Sequence, residues 1–394
     1  MNTKLLSPLV TRFLLVIMLC LPVWGSQVSA QTPESYAVLD ESTGTLTFRH
    51  DAKKPAEAYP LNSPEELPGW FVEGENFVNK NRIEKVVFDA SFAAACPTSC
   101  RCWFVGCTEL KTIEGIEYLN TENVVTMKSM FAFCNNLTAL DVSNFNTKNV
   151  TDMNSMFYEC NNLTTLNVSN FDTQNVTDMG WMFYGCNNLT TLNVSNFDTK
   201  NVTNMKSMFN KCKSLTVLDV SNFDTKNVTE MGWMFYGCNN LTTLNVTNFD
   251  TKNVTDMYAM FYECNNLTTL NVSNFDTKNV TDMTQMFHGC NNLTTIYVSE
   301  KFVTTACEYG DEMFKDCGKL VGAVPFDENK TGMEMANYTT GYFTDIKTTG
   351  IDATPISDNI AAKYYDVQGR RMDAPKKGIN IVKRGGRTMK VLMK

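Results

Sequence analysis

Histidine is nearly missing from this chain: of 394 residues, only His50 and His288 carry an imidazole. A Ser-His-Asp or Cys-His nucleophile, or a histidine general base, has almost nothing to be built from. Charged residues make up only 19% of the chain, and the net charge of −8 makes nucleic acid a poor partner. That excess is uneven. From Lys363 to Lys394 ten basic residues face two acidic ones, a balance of +8, which leaves −16 on residues 1–362. No C-x-x-C pair occurs, so the usual redox and zinc spacings are absent. Carboxylates recur in register with a repeat and are not set apart as a glycosidase pair. The chain is therefore expected to be no enzyme and to hold no metal or cofactor.

Long apolar runs are also lacking. The 12-residue FLLVIMLCLPVW (13–24) is too short to span a bilayer. With Lys4 and Arg12 around its start and Val28-Ser29-Ala30 before Gln31, residues 1–30 read as a signal peptide. The expected location is outside the cytoplasm, at a bacterial cell surface or secreted, with membrane contact only through secretion or surface attachment.

What the chain has in abundance is repetition. NVTDMNSMFYECNNLTTLNVSNFDTQ (149–174) is followed by a near copy at 175–200, and Cys134, Cys160, Cys186, Cys212, Cys238, Cys264 and Cys290 recur every 26 residues. Cys107 and Cys317 stand 27 residues beyond either end of that column. A fixed period of this size predicts a solenoid of about nine turns sharing one core. The nine cysteines are then small buried hydrophobes. In CPTSCRC (96–102), one bridge and simple packing remain equal alternatives.

Within one turn, Val150, Met153, Met156, Phe157 and Cys160 have the spacing of a short amphipathic helix. Asn149 is placed as its N-cap and Asp152 as a first-turn carboxylate. After Asn161-Asn162, LTTLNVSNF places Leu163, Leu166, Val168 and Phe171 inward and Thr165, Asn167 and Ser169 outward on a strand. Stacked turns would give a parallel sheet on one side and short helices on the other, with neighbouring helices about 8–10 Å apart.

The L-x-x-L-x-V spacing is that of a leucine-rich repeat. The words NVTDMxxMFxxCxxLTTLNVSNFDT, with IEKVVFDASF and LKTIEGIEYLNTENV before them, resemble the BspA-like bacterial surface proteins with 26-residue leucine-rich repeats. The resemblance covers roughly 85–320 and implies adhesion to host matrix proteins or other cells. One departure matters: Phe171 stands where an inward Asn is usual, so Asn170 is the candidate for that work. The end, YYDVQGRRMDAPKKGINIVKRGGRTMKVLMK, resembles the C-terminal sorting modules of Bacteroidota surface proteins, which implies export and attachment or release.

The expected organisation is a signal peptide at 1–30, an N-terminal β-hairpin cap at 31–84, and an α/β leucine-rich-repeat solenoid at 85–322. A cap or linker follows at 323–350, and a small β module for sorting or anchoring at 351–394. The residues the scaffold leaves free are Trp181, Tyr184, Trp233 and Tyr236, with Tyr158 and Tyr262 in related places. Aromatics with one wet edge anchor protein interfaces and stack on sugars; the alternative is packing on the adjoining helix. The expected partner is an extracellular protein or glycan. The alternative functions are carbohydrate binding or a structural role in a surface layer.

Overall fold

The computed structural model describes residues 31–71, 80–349, 363–365, 370–372, 378–384 and 387–393. The expected signal peptide at 1–30 lies outside these residues, as does most of 351–394.

Alternation in SYAVLDESTGTLTFRHD builds the expected hairpin. Glu34–Asp40 pairs antiparallel with Thr45–Asp51, and Gly44 turns the chain at φ 63. Lys85–Phe88 adds in parallel to the second strand, and Thr112–Glu114 adds to that. The hairpin thus continues directly into the stack. Phe48 stacks on Phe88 at 4.7 Å and on Trp103 at 5.0 Å, covering the open end of the repeat core with aromatic carbon.

Each 26-residue unit then forms one coil of a repeat stack. The strand half behaves as read: Leu163, Leu166, Val168 and Phe171 are buried and Thr165, Asn167 and Ser169 exposed. The strands are very short, as in Ala139–Leu140 against Thr165–Leu166 and Val217–Leu218 against Thr243–Leu244, all parallel. The predicted continuous sheet is broken, since Thr191 and Leu192 form no strand.

The predicted helices are not there. Among the described residues the only helical turns are 3₁₀ turns, and none falls in a segment such as 149–160. Instead, the N–H groups of Met153, Ser155, Phe157 and Glu159 donate along the stack to the carbonyls of Asp178, Gly180, Met182 and Tyr184, at 3.0, 2.9, 2.9 and 2.6 Å. Those of Met156, Tyr158 and Cys160 turn back three residues, to Met153, Ser155 and Phe157. Left-handed backbone at Ser155 (φ 57) and Glu159 (φ 54) stops any helix from propagating. A chain of such turns places apolar residues every third position, which is why its pattern imitates a helix.

This substitution changes the spacing of the stack. Coils joined by backbone hydrogen bonds lie about 4.7–4.9 Å apart, as strands do, and not the 8–10 Å of packed helices. Buried Phe157 and Phe183 accordingly stack at 5.7 Å, and Tyr158 and Tyr184 at 4.5 Å.

Polar columns run the length of the stack. The Asn170 side chain donates to the carbonyls of Val142 and Phe145 at 3.1 and 2.9 Å, and Asn196 does the same one coil on, so this position does supply an asparagine ladder. Asn149, expected as a helix cap, instead donates to Glu122 O of the preceding coil at 2.8 Å, and Asn175 to Lys148 O. Buried Thr147 both donates to Asp172 O and accepts from its N–H, at 2.9 and 2.7 Å. Each column satisfies backbone groups that a coil cannot satisfy by itself.

The column Asp152, Asp178, Asn204, Glu230, Asp256, Asp282 forms parallel bridges from coil to coil. These carboxylates do not meet a helix dipole; they are stacked on one another. Burial, with the neighbouring carboxylate adding to it, raises the pKa of Asp152 and of Asp256. A raised folded pKa means stability that is full below the unfolded value and lost as pH rises through the folded one. Asp256→Asn, which copies Asn204 in the same column, is therefore expected to equal or exceed the parent in stability at pH 7. Its advantage should shrink to nothing on acidification. Thermal melts of both proteins between pH 3.5 and 7.5 check this, and a variant less stable at pH 7 than at pH 4, relative to parent, contradicts it.

At the far end Phe343–Asp345 pairs in parallel with Thr295–Val298, outside the 26-residue register. Buried Tyr342 holds the closing loop, its hydroxyl donating to Lys330 O and accepting from Asp327 N, both at 2.9 Å. The described parts of the tail, Lys363–Tyr365, Arg371–Met372, Gly378–Arg384 and Arg387–Met393, form an antiparallel four-stranded sheet.

Candidate binding site

The nine column cysteines, Cys107 to Cys317, are buried, and no disulfide joins the other described cysteines, the CPTSCRC trio included. They are not merely apolar filler. Cys186 Sγ–H donates to the Phe157 carbonyl at 3.3 Å, and Cys160 and Cys212 make the same bond to Phe131 and Phe183. Burial pushes the column thiols from Cys134 to Cys317 up, to about 12 for Cys160, Cys238 and Cys317, so these eight are poor nucleophiles and poor thiolate ligands. Among the described residues no cluster of His, Cys, Asp and Glu is arranged to hold a metal ion, and no helix is long and apolar enough to cross a membrane.

The aromatic residues tell more. Trp181, Tyr184, Trp233, Tyr236, Tyr158 and Tyr262 all line one cleft of about 500 Å³. All six are half-buried and not fully exposed; the tyrosines stack in pairs from coil to coil and Trp233 packs on Tyr258 at 4.5 Å. Tyr158 lies on Tyr184 at 4.5 Å and 7°, and Tyr236 on Tyr262 at the same distance and angle. Phe133 precedes this row and His288 follows it, 5.0 Å from Tyr158 and 4.6 Å from Tyr262.

The row has one missing member. In the coil 201–226 the position of Tyr184 and Tyr236 is taken by Asn210, and that of Trp181 and Trp233 by Ser207. Both are small and almost wholly buried, at 4% and 3% exposure, and they make the floor between two aromatic walls. With two coil steps between them, the walls stand roughly 9–10 Å apart, half the separation that packed helices would have given.

Two lysines of the same coil frame the cleft. Lys206 Nζ sits 4.7 Å from the centre of the Trp233 ring and within 3.9 Å of Glu230 and 3.7 Å of Asp256. Lys211 Nζ donates to the Tyr184 hydroxyl at 3.0 Å while lying 5.3 Å from the ring centre, which puts the ammonium beyond the hydroxyl edge and leaves the ring face free. That hydrogen bond is the main cause of a raised Lys211 pKa. Burial raises the phenol pKa values of Tyr158, Tyr236 and Tyr262, keeping them neutral donors.

Trp181 and Trp233 also hold left-handed backbone, at φ 56 and 59. The scaffold imposes this on every occupant of the position, including Ser155, Ser207, Ala259 and Gln285. A bulky residue is rarely found there, and nothing in the core asks for an indole.

A family model described as "Mycoplasma protein of unknown function, DUF285" matches residues 98–167, 161–243 and 239–347, well over half of the chain. The chain belongs to this family. Its matched residues hold the whole cleft and the cysteine column from Cys107 to Cys317. No curated protein matches. Among solved structures the chain is similar to a leucine-rich repeat protein from Bacteroides ovatus ATCC 8483, with 15% identity, a TM-score of 0.34, and coverage of 74% of this chain and 82% of that one.

Sequence reasoning placed the six aromatics but missed Lys206, Ser207, Asn210 and Lys211. A signal was present: KSMFNKCKSLT is the unit that departs most from the copies on either side. Small polar residues such as Ser207 and Asn210 carry no pattern of their own by which a sequence marks a site.

Proposed function

We propose that this protein is an exported, non-enzymatic binding protein displayed at a bacterial surface, a BspA-like leucine-rich-repeat solenoid acting as an adhesin toward an extracellular protein or glycan. The observation that carries the reading is the gathering of seven aromatic side chains, Tyr258 beside the six named above, from four coils around one coil that lacks them. Repetition alone would spread such residues evenly. Half-buried rings with neutral phenols and nearby ammonium groups suit a neutral or polar ligand surface. The basic β-rich tail supports sorting to, and anchoring at, the cell surface, and the apolar leader supports export.

Binding of the mature chain (31–394) to a panel of extracellular matrix proteins and oligosaccharides tests this. Replacing Trp181, Tyr184, Trp233 and Tyr236 together by Ala should weaken retention at least about tenfold, since aromatic anchors often contribute ~2 kcal/mol each. The same variant should also lose a few kcal/mol of stability, because each stacked pair it breaks is worth about 0.5–1.5 kcal/mol. The control is Thr191→Arg with Asn193→Glu on the exposed strand face. If that control abolishes binding and the aromatic variant does not, the working surface is the strand face.

A further inference from the structure

We infer that the gap over Asn210 is a slot for a single pyranose ring, so that the ligand is a glycan held by one sugar residue; this rests on the binding reading above and names its ligand class. The row of stacked rings is continuous at about one ring per coil on both sides and interrupted only over this coil. The faces of Tyr184 and Tyr236 that point toward each other therefore lack the stacking neighbour that their opposite faces have.

The width admits a pyranose, although one flat ring fills the same step in the neighbouring coils. Walls roughly 9–10 Å apart, with carbon contacts of about 3.5–4.0 Å on each side, leave room for a ring thicker than a flat arene. A chair pyranose is such a ring, and its axial C–H groups point at the two faces. The floor agrees. Asn210 is 4% exposed, its Nδ2 reaches Ser207 Oγ at 3.4 Å, and its Oδ1 finds no partner in the protein. A buried acceptor left unpaired costs about 1–3 kcal/mol; Asn210 Oδ1 is shielded from solvent as it stands, as are the Oδ1 atoms of Asn187 and Asn248, so a sugar hydroxyl relieves it by drawing the amide of Asn210 up toward the cleft. Lys211, at the rim, has no carboxylate within salt-bridge distance among the described residues and can donate to a ring substituent. The tryptophan half of the cleft is less open, because Lys206 already covers Trp233.

The test fills the slot. Asn210→Tyr completes the row as its four tyrosine neighbours do, and Asn210→His copies His288, so at least one filler is expected to fold with an unchanged or higher melting temperature. Parent and fillers are applied to an array of oligosaccharides bearing hexose, N-acetylhexosamine and hexuronic acid residues, and to matrix proteins, with tyramine as a flat-ring probe in solution. The expected result is retention on glycans by the parent, quenched or shifted tryptophan fluorescence on titration, and at least a tenfold loss in the fillers. Glycan binding that a folded filler leaves intact overturns the slot. Tyramine binding without glycan binding overturns the pyranose. Matrix-protein binding lost in the quadruple aromatic variant but not in the fillers also overturns the pyranose while upholding the binding function. Retention of nothing on either panel overturns both.

Discussion

Excising residues 201–226 should yield a shorter protein that still folds but no longer has a slot. The cut joins Lys200 to Asn227, so DTK runs into NVTEM with every column kept in register. The core Phe183 would then meet Phe235 as it now meets Phe209, at about one coil spacing. Stability of a stack is close to a sum over coils and their neighbour contacts, so the loss is that of one repeat. Removing 13 residues, 201–213, should instead unfold the stack beyond the cut. It would set the strand half of one coil against the turn half of the next, facing Leu and Val columns with the Asp column. Circular dichroism and calorimetry distinguish the outcomes: a cooperative melt for the first variant, and its loss for the second. Similar melts for both would contradict the stacked-coil architecture.

The excision carries two further consequences. Tyr184 would stack on Tyr236, closing the row with every aromatic residue of the cleft retained, so binding through the slot should vanish although none of them has been mutated. Asn204 and Lys206 would also go, leaving Asp178 directly against Glu230, and Asp256 without the ammonium 3.7 Å from it. Burial and neighbouring charge already raise the Asp256 pKa against the opposing pull of Lys206. Its removal should raise it further, so the shortened protein should gain more stability than the parent on acidification from pH 7 to pH 5.

These expectations also show what was legible in the sequence. The period, the inward set and the terminal hairpin follow from residue identity, because burial is decided by apolar columns such as Leu163, Val168 and Phe171. Helices were misread because hydrophobic spacing reports which residues face inward and not how the backbone gets there. Three-residue turns and a 3.6-residue helix give nearly the same stripe over 12 residues. The deciding signal was conformational: Ser155 and Glu159 must adopt positive φ, a state that neither residue type advertises. Gly106, Gly185, Gly237 and Gly289, at φ 66–73 in the same position as Glu159, hint at it. The site was half legible for a related reason. Aromatic rings announce themselves, whereas a slot is made by what Ser207 and Asn210 leave empty.

Those glycines lead to a contrast between two substitutions that look alike. Gly185 and Gly115 both have left-handed backbone, φ 72 and 69. At Gly185 an added Cβ would meet the Glu159 carboxylate at 2.8 Å, the far end of a flexible side chain, and the position accepts Glu and Lys in other coils. Gly185→Ala should therefore cost only the backbone preference, about 1 kcal/mol. At Gly115 the Cβ would come within 2.2 Å of the Phe88 carbonyl oxygen, which is backbone and cannot swing away. Phe88 belongs to the strand joining the hairpin to the stack and packs on Phe48, so the displacement would reach the aromatic cap. Strain of about 1–3 kcal/mol and overpacking of similar size should combine to at least ~3 kcal/mol for Gly115→Ala. Chemical denaturation followed by tryptophan fluorescence measures both, since Trp70 and Trp103 report on the cap and Trp181 and Trp233 on the middle of the stack. A loss at Gly115 that appears first in the cap probes is expected; equal, small losses at both glycines would mean that the hairpin does not seal the stack.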